Sequence, residues 1–399
     1  MHSSYLIVNA KILTALSDRP VVSEPQIFCL ENKCVFVQNG IIKQIGNYSE
    51  LKQNVSSNTR IIDLKNRFLL PGFIDCHTHP LFDGKRINDF IARIEGKSYQ
   101  EIALSGGGIK YTVQNTINSP HLKQLLVYRL NQIYQSGSVI IEAKNGYAIE
   151  IEKEIEHLKL IIDVSKFVKP IIIPTFLAHI PPDDFDEYLN KIKMYAPEIR
   201  KLTKYFDIFC DKTAFSVDQT IQIVRSLTSY HFAFRFHTNE FQDDRLVEGL
   251  YDMFGNSIEV KSFDHLLVLS DFTIKFMRLM KSFGVIMPGT SWFLGKNYSL
   301  ARKLIENHIP ICLATDFNAG SSNVYSMLMV CNLACIYLKL KPEEVLCYIT
   351  TNPAFMLDIK AGQIRQDFLA LFNILDTSDW REFCFCLDHN LISPLILQP

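Results

Sequence analysis

Eight short apolar runs alternate with amphipathic stretches of helical period from residue 70 to about residue 340. This alternation restricts the fold more than any other feature of the chain. The runs are FLLPGFIDC (68–76), SVIIEAK (138–144), PIIIPTFLA (170–178), YFDIFC (205–210), FAFRFH (232–237), EVKSFDH (259–265), GVIMPG (284–289) and IPICLATD (309–316). Stretches such as HLKQLLVYRLNQIYQ, EIEKEIEHLKLIIDVSKF and SVDQTIQIVRSLTSY lie between them. Eight β/α alternations with short connections predict an α/β fold, a (β/α)8 TIM-type barrel over residues 70–359.

The flanks read differently. The first 70 residues read as short strands, and CVFVQNGIIKQIG is two apolar runs joined at Asn39-Gly40, a type I′ hairpin signal. After the barrel, KPEEVLCYITTNPAFMLDI reads as helical, and FLALFNILD and EFCFCLD return to strand. Both ends are expected to pair in one small β-sandwich domain, residues 1–69 plus 360–399. The link from 80 to 117 has no strand of its own, and segments of that length are usually functional. Its Gly106-Gly107-Gly108 follows no strand and precedes no Lys-Ser/Thr, so it reads as a flexible substrate-covering loop rather than a phosphate loop.

Composition excludes several function classes. With 41 Lys+Arg against 42 Asp+Glu, the net charge of −1 offers no basic surface for nucleic acid. No run reaches the ~18 apolar residues of a membrane span. The N-terminus alternates like a strand and lacks the regions of a signal peptide, so a cytoplasmic enzyme is expected. Most of the 10 cysteines lie in apolar runs without C-x-x-C, as buried reduced thiols would. Cys384-Phe385-Cys386 alternates as a strand would.

Barrel enzymes carry their chemistry where strands end at the C-terminal face. The run ends supply Asp75, His77 and His79; Lys144, with Tyr147 just beyond; His179; His237, followed by Glu240; Asp264 and His265; and Asp316. A lone strand-end histidine is usually a hydrogen-bonded structural residue, and His2, His121, His157, His231, His308 and His389 keep that reading. The other five share one predicted rim. Alternate residues on a strand point the same way, so His77 and His79 can reach one ion at ~2.0–2.1 Å. His237 and Asp316 would complete a set of three nitrogens and one oxygen, suited to zinc, or to iron as an alternative. Such an ion lowers the pKa of bound water from about 15.7 to about 7. Glu240 could then carry a proton, His265 could polarise a carbonyl, and Asp316 could be both ligand and proton acceptor. Taken alone, Glu240 reads equally as a solvated loop acid.

The motifs PGFIDCHTHP, FHTNE, DHL and ATDFNAG, in this order, resemble the amidohydrolase superfamily. More narrowly, the chain resembles the imidazolonepropionases. The likeness spans roughly residues 30 to 360, through HTHPLFDGKRINDFIARIEGKSYQEIALSGGGIKYTV, IEAKNGYAIEIEKEIEHLKLI, TFLAHIPPDDFDEY, FDIFCDKTAFS and LATDFNAGSSNVYSMLMVCNLAC. It implies one zinc or iron on His77, His79, His237 and Asp316, with His179, Glu240 and His265 handling a lactam carbonyl and protons. It implies Arg86 on a propionate carboxylate, which a guanidinium fork suits. Tyr147 would hold the substrate, with Tyr99 as a further candidate, and Asn318, Gly320 and Ser321 would contact the product side. The implied reaction opens the small molecule 4-imidazolone-5-propanoate to N-formimidoyl-L-glutamate, in a homodimer.

The chain departs from the family pattern at several points. Asp83-Gly84 replaces a Gly-Gly pair, and Asn239 replaces the acid of a usual HADE. TFLAHIPP is one residue short, about five residues are inserted between His237 and His265, and a Gly-Lys-Ala-Asp ending is missing. None removes a proposed ligand. Two-metal relatives carry a carbamylated lysine at the end of the fourth strand. Lys144 ends the second, and is expected to position Tyr147 or Glu240 or to pair with a buried acid. Two other readings stand beside this one. A sister deaminase or hydrolase acting on an uncharged ring would not need Arg86. A non-catalytic scaffold would have lost ligands.

Overall fold

The computed structural model describes residues 3–387 and 390–397, which leaves His2 and His389 outside. Eight parallel strands follow one another around a barrel in chain order. They are β1 (Phe73–Asp75), β2 (Ser138–Lys144), β3 (Ile171–Ala178), β4 (Tyr205–Phe209), β5 (Ala233–Thr238), β6 (Glu259–His265), β7 (Phe283–Ile286) and β8 (Ile311–Leu313). Helices separate them, and the apolar helix faces pack with Phe176, Phe206, Phe234 and Phe263 in the main core. The barrel is joined just beyond the strand ends. A parallel bridge links Thr78 and Phe317, the His79 amide donates to the Phe317 carbonyl at 2.8 Å, and the Asp316 amide donates to the His77 carbonyl at 3.0 Å.

The second sheet is built from both ends of the chain. Its order is Ile392–Ile396, Leu371–Leu375, Phe68–Pro71, Ser4–Thr14, Phe28–Gln38, Ile41–Gly46, with Arg60–Asp63 also pairing with Ser4–Thr14. Ile7, Ile12, Val35, Leu69 and Phe372 share its core. Asn39 and Gly40 turn the hairpin with φ of 52° and 75°, as a type I′ turn requires.

Several expectations need correction. The run 68–76 is two strands: Phe68–Pro71 belongs to the terminal sheet and Phe73–Asp75 to the barrel. Gly72 makes the crossing, where a Cβ would lie 2.2 Å from Val139 Cγ2. The first 70 residues also hold a helix, Tyr48–Asn54, whose Asn47 and Glu50 form a capping box. The described part of EFCFCLD, residues 382–387, is not a strand. Trp380–Cys384 is a 3-10 turn, because Asp379 accepts from the Arg381 amide and exchanges a capping box with Glu382. Cys384 is therefore buried, while Cys386 is half-buried. Cys29 is exposed, whereas Cys34, Cys76, Cys210, Cys312, Cys331 and Cys347 are buried free thiols.

The 80–117 link contains three short helices, α1 (Ile87–Ile94), α2 (Tyr99–Leu104) and α3 (Ile109–Ile117). Its glycine run is docked on α1. The buried Asp89 carboxylate accepts from the Gly108 amide at 2.9 Å, and a Cβ on Gly107 would meet that carboxylate at 2.4 Å. Tyr99 opens α2, and its side chain lies outside the described part. Among the described residues, no helix is long and apolar enough to cross a membrane.

Candidate metal centre

The first strand delivers His77 and His79 where the barrel closes, β5 delivers His237, and the segment after β8 delivers Asp316. Their donor atoms converge. His79 Nε2 stands 3.3 Å from His77 Nε2, 3.2 Å from His237 Nε2 and 3.4 Å from Asp316 Oδ1; His77 Nε2 to Asp316 Oδ1 is 3.6 Å. Four donors around a tetrahedral ion with bonds of about 2.0–2.1 Å stand about 3.3–3.4 Å from one another. His79 stands at such distances from the other three donors, and Asp316 lies near them from His77 and His79, so three nitrogens and one oxygen gather as the chemistry of such an ion asks.

The other ring nitrogens hold the tautomers. His77 Nδ1–H donates to Asp264 at 2.6 Å and His237 Nδ1–H to Asp207 at 3.0 Å, which leaves both Nε2 lone pairs for the centre. Burial, reinforced by the Lys144 cation, holds His77 and His79 well below the usual histidine pKa. Burial takes His237 down to about 3 against the opposing pull of Asp207. Thr290, in the helix α4 (Pro288–Leu294), donates to Asp316 Oδ2 at 2.7 Å and turns Oδ1 toward the histidines. Asp316, His265 and Asn239 all sit at positive φ, 51°, 80° and 57°, a strained conformation for residues with side chains and one that gathers at functional sites.

Beneath the histidines runs a fully buried chain of charges. Asp264 pairs with Arg235 at 2.8 Å, Arg235 with Glu142 at 3.0 Å, Glu142 with Lys144 at 2.6 Å, and Lys144 with Asp207 at 2.8 Å. The chain thus runs from the acid behind His77 to the acid behind His237. Lys144 pairs with buried acids, and not with Tyr147 or Glu240. Burial opposes ionisation of Asp207, but His237, Lys144 and Arg235 outweigh it and hold its carboxyl well below the ordinary range. Asp75 is no part of the donor set: its carboxylate accepts from the Thr315 amide and hydroxyl at 3.1 and 2.6 Å.

Above the centre opens a cavity of about 220 Å³, lined by His79, His179, His237, His265, Asp316, Glu240, Arg86, Tyr147, Asn318, Gly320 and Ser321. His179 Nδ1–H donates to the Gly146 carbonyl at 2.9 Å, and burial pushes its pKa down to about 3. Its Nε2 is therefore a neutral acceptor, suited to a substrate N–H rather than to a carbonyl oxygen. Glu154 accepts from the Gly146 and Ala148 amides at 2.8 and 2.7 Å and so presents Tyr147, whose hydroxyl burial drives up to about 12. The Glu240 carboxylate lies 3.1 Å from Lys296 Nζ and 3.9 Å from His265 Nδ1, and Asp211 anchors its backbone amide at 2.9 Å. Asn318 lines the cavity, but its side chain is engaged by its own turn, accepting from the Gly320 and Ser321 amides at 2.8 Å each.

Arg86 precedes α1 and enters the cavity with its Nε buried and without a hydrogen-bond partner. Gly320 makes room for it, since a Cβ there would sit 1.9 Å from the guanidinium carbon. The proposed residues therefore meet at one place, apart from Tyr99. The sequence reading missed Asp207, Glu142 and Arg235, the role of Asp264, and Thr290, Lys296 and Asp211. A signal existed for the first three: each is a charge inside a mostly apolar strand, in FDIF, VIIEAK and FAFRF.

No family model matches the chain. The imidazolonepropionase of Kosmotoga olearia is 32% identical over 394 residues, spanning 96% of this chain and 94% of that protein. The chain belongs to the imidazolonepropionase family. That of Caldanaerobacter subterraneus is also 32% identical, over 98% of this chain and 96% of its own. Among solved structures, E. coli guanine deaminase superposes with a TM-score of 0.73 at 15% identity, covering 96% of this chain and 94% of that one. An atrazine chlorohydrolase variant from Arthrobacter aurescens TC1, complexed with zinc and atraton, gives 0.71 at 13% identity, covering 98% and 93%. At such identities these two share the fold with this family member.

Proposed function

We propose that the chain hydrolyses the cyclic amide of 4-imidazolone-5-propanoate to N-formimidoyl-L-glutamate, a step of histidine degradation. One observation carries the reading: a metal-type donor set and an unpaired arginine share one cavity. His77, His79, His237 and Asp316 would hold one zinc or iron ion. When bound, the ion supplies an acidic water, with a pKa near about 7, and a Lewis acid.

The protein's residues do the rest. Arg86 binds the propanoate, and its charge fixes which end of the ring faces the histidines. His179 Nε2 accepts a ring N–H, and the Tyr147 ring packs edge-on to His179 at 5.3 Å and closes that wall. His265 donates toward the lactam oxygen as negative charge grows there. Glu240, held by Lys296, receives the proton of the attacking water and returns it to the ring nitrogen. Oxygen adds to the carbonyl carbon, the C–N bond breaks, and the nitrogen leaves protonated.

Elemental analysis joined to a turnover assay on imidazolone propanoate tests the reading. The expected result is one bound ion per chain and ring opening that Arg86→Met weakens mainly through KM. A metal-loaded protein that leaves the compound intact would overturn it. A deaminase acting on a neutral ring is the second reading. It predicts that Arg86→Met leaves activity on the true substrate unchanged.

A further inference from the structure

We propose that Arg93 is a second carboxylate-reading residue, forming with Arg86 a two-guanidinium clamp for the acid tail of the substrate. The inference rests on the substrate reading above and extends it to a residue on the far end of the same helix. Arg86 sits at the N-cap of α1 and Arg93 in its last turn, about two turns apart on one face. Both side chains return to Gly320. The Arg86 guanidinium occupies the place where a Gly320 side chain would stand, and Arg93 Nη1 and Nη2 both donate to the Gly320 carbonyl at 3.2 Å. Both line the cavity.

Neither guanidinium has an ion-pair partner among the described residues, although the charges beneath the histidines are paired throughout. Burial and the neighbouring Arg86 charge push the Arg93 pKa down against the opposing pull of Asp89, so the two cations repel each other. An anion between them reverses that sign. The Gly320 carbonyl takes two of the five guanidinium N–H groups of Arg93, and the remaining ones stay available. The Phe293 ring, 5.5 Å from the Arg93 guanidinium carbon, backs one face of the group and keeps it in place. A carboxylate offers two oxygens with about four lone-pair sites, enough for two forks. Arg86 would take the inner edge and Arg93 the outer.

The test compares Arg93→Met and Arg93→Lys with wild type on imidazolone propanoate and on its propanamide, which lacks the charge. Calorimetric binding of 3-(imidazol-4-yl)propanoate, which has no lactam to open, is measured beside it. Arg93→Met is expected to raise KM for the acid about tenfold with kcat within about twofold, and to leave the amide unaffected. Imidazolyl propanoate should bind about tenfold more weakly, and Arg93→Lys should recover part of both losses. Equal loss of kcat on acid and amide would mean that Arg93 only shapes the Gly320 turn, and unchanged KM would mean that it does not reach the carboxylate. Either result overturns the clamp. Imidazolyl propanoate binding that depends on Arg93, with no ring opening by wild type, would overturn the proposed reaction and leave the clamp standing.

Discussion

The floor and the mouth of the cavity handle charge in opposite ways. On the floor, Asp264, Arg235, Glu142, Lys144 and Asp207 are wholly buried and each has a partner within 3.0 Å. At the mouth, the guanidiniums of Arg86 and Arg93 line the cavity and neither has an ion-pair partner among the described residues. A buried charge without a partner costs several kcal/mol, so the floor is complete before any substrate arrives. Arg86 and Arg93 are half-exposed, so water tolerates an open valence there, which the proposed carboxylate would fill. The floor orients the histidine donors through Asp264 and Asp207, and in the proposed function the mouth selects what they act on.

Breaking the floor should have the largest effect. Lys144→Met leaves Glu142 and Asp207 without their shared cation, and urea unfolding should show a loss of about 3–5 kcal/mol with activity abolished. A loss below about 1 kcal/mol would put this network in the class of surface pairs and erase the contrast. At the mouth, Gly320→Ala should drive Arg86 from its place and cut kcat/KM by about 100-fold, or about 2.7 kcal/mol, with metal content unchanged. Loss of metal in that variant would show that mouth and floor are not separable. A milder change to the floor, Asp207→Asn, keeps the shape but weakens the hold on His237. Chelator competition should then find metal affinity about 10- to 100-fold lower in a folded protein.

His157 belongs to neither region and should have the smallest effect. Burial pushes its pKa from 6.5 to about 4. The unfolded chain therefore binds the proton more readily within that window, so stability rises with pH across it and is lost as pH falls toward 4. His157→Gln should flatten this acid limb by about 1–2 kcal/mol while activity at neutral pH stays the same. An unchanged acid limb would show that the histidine titrates freely.

How legible each part was depends on what kind of signal it leaves. His77 and His79 could be read because a strand has a period of two and its end is marked by a switch from apolar to polar. Asn39-Gly40 could be read because few other pairs accept two positive φ angles. The split of 68–76 could not, since an apolar run does not say which sheet it joins; Gly72 was the only mark. EFCFCLD misled because alternation over a few residues is weaker than the cap formed by Asp379 and Glu382 just upstream. The floor was half legible. Charges in apolar strands announce burial, but which acid meets which cation depends on how strands on opposite sides of the barrel face each other. Arg93 and Lys296 come from a helix and a loop, where polar residues are ordinary and carry no signal.

The seam between the ends of β1 and β8 also bears on the life of the chain before it is folded. His79 and Asp316 are 316 − 79 = 237 positions apart, and the hydrogen bonds that join their neighbours are the ones that shut the ring. Contacts that distant in sequence form late, after the loops between them have closed. A chain still emerging from the ribosome would hold His77, His79 and His237 but not Asp316. Full affinity for the proposed ion would therefore arrive with the last strand, and a bound ion would tie the start of the ring to its end.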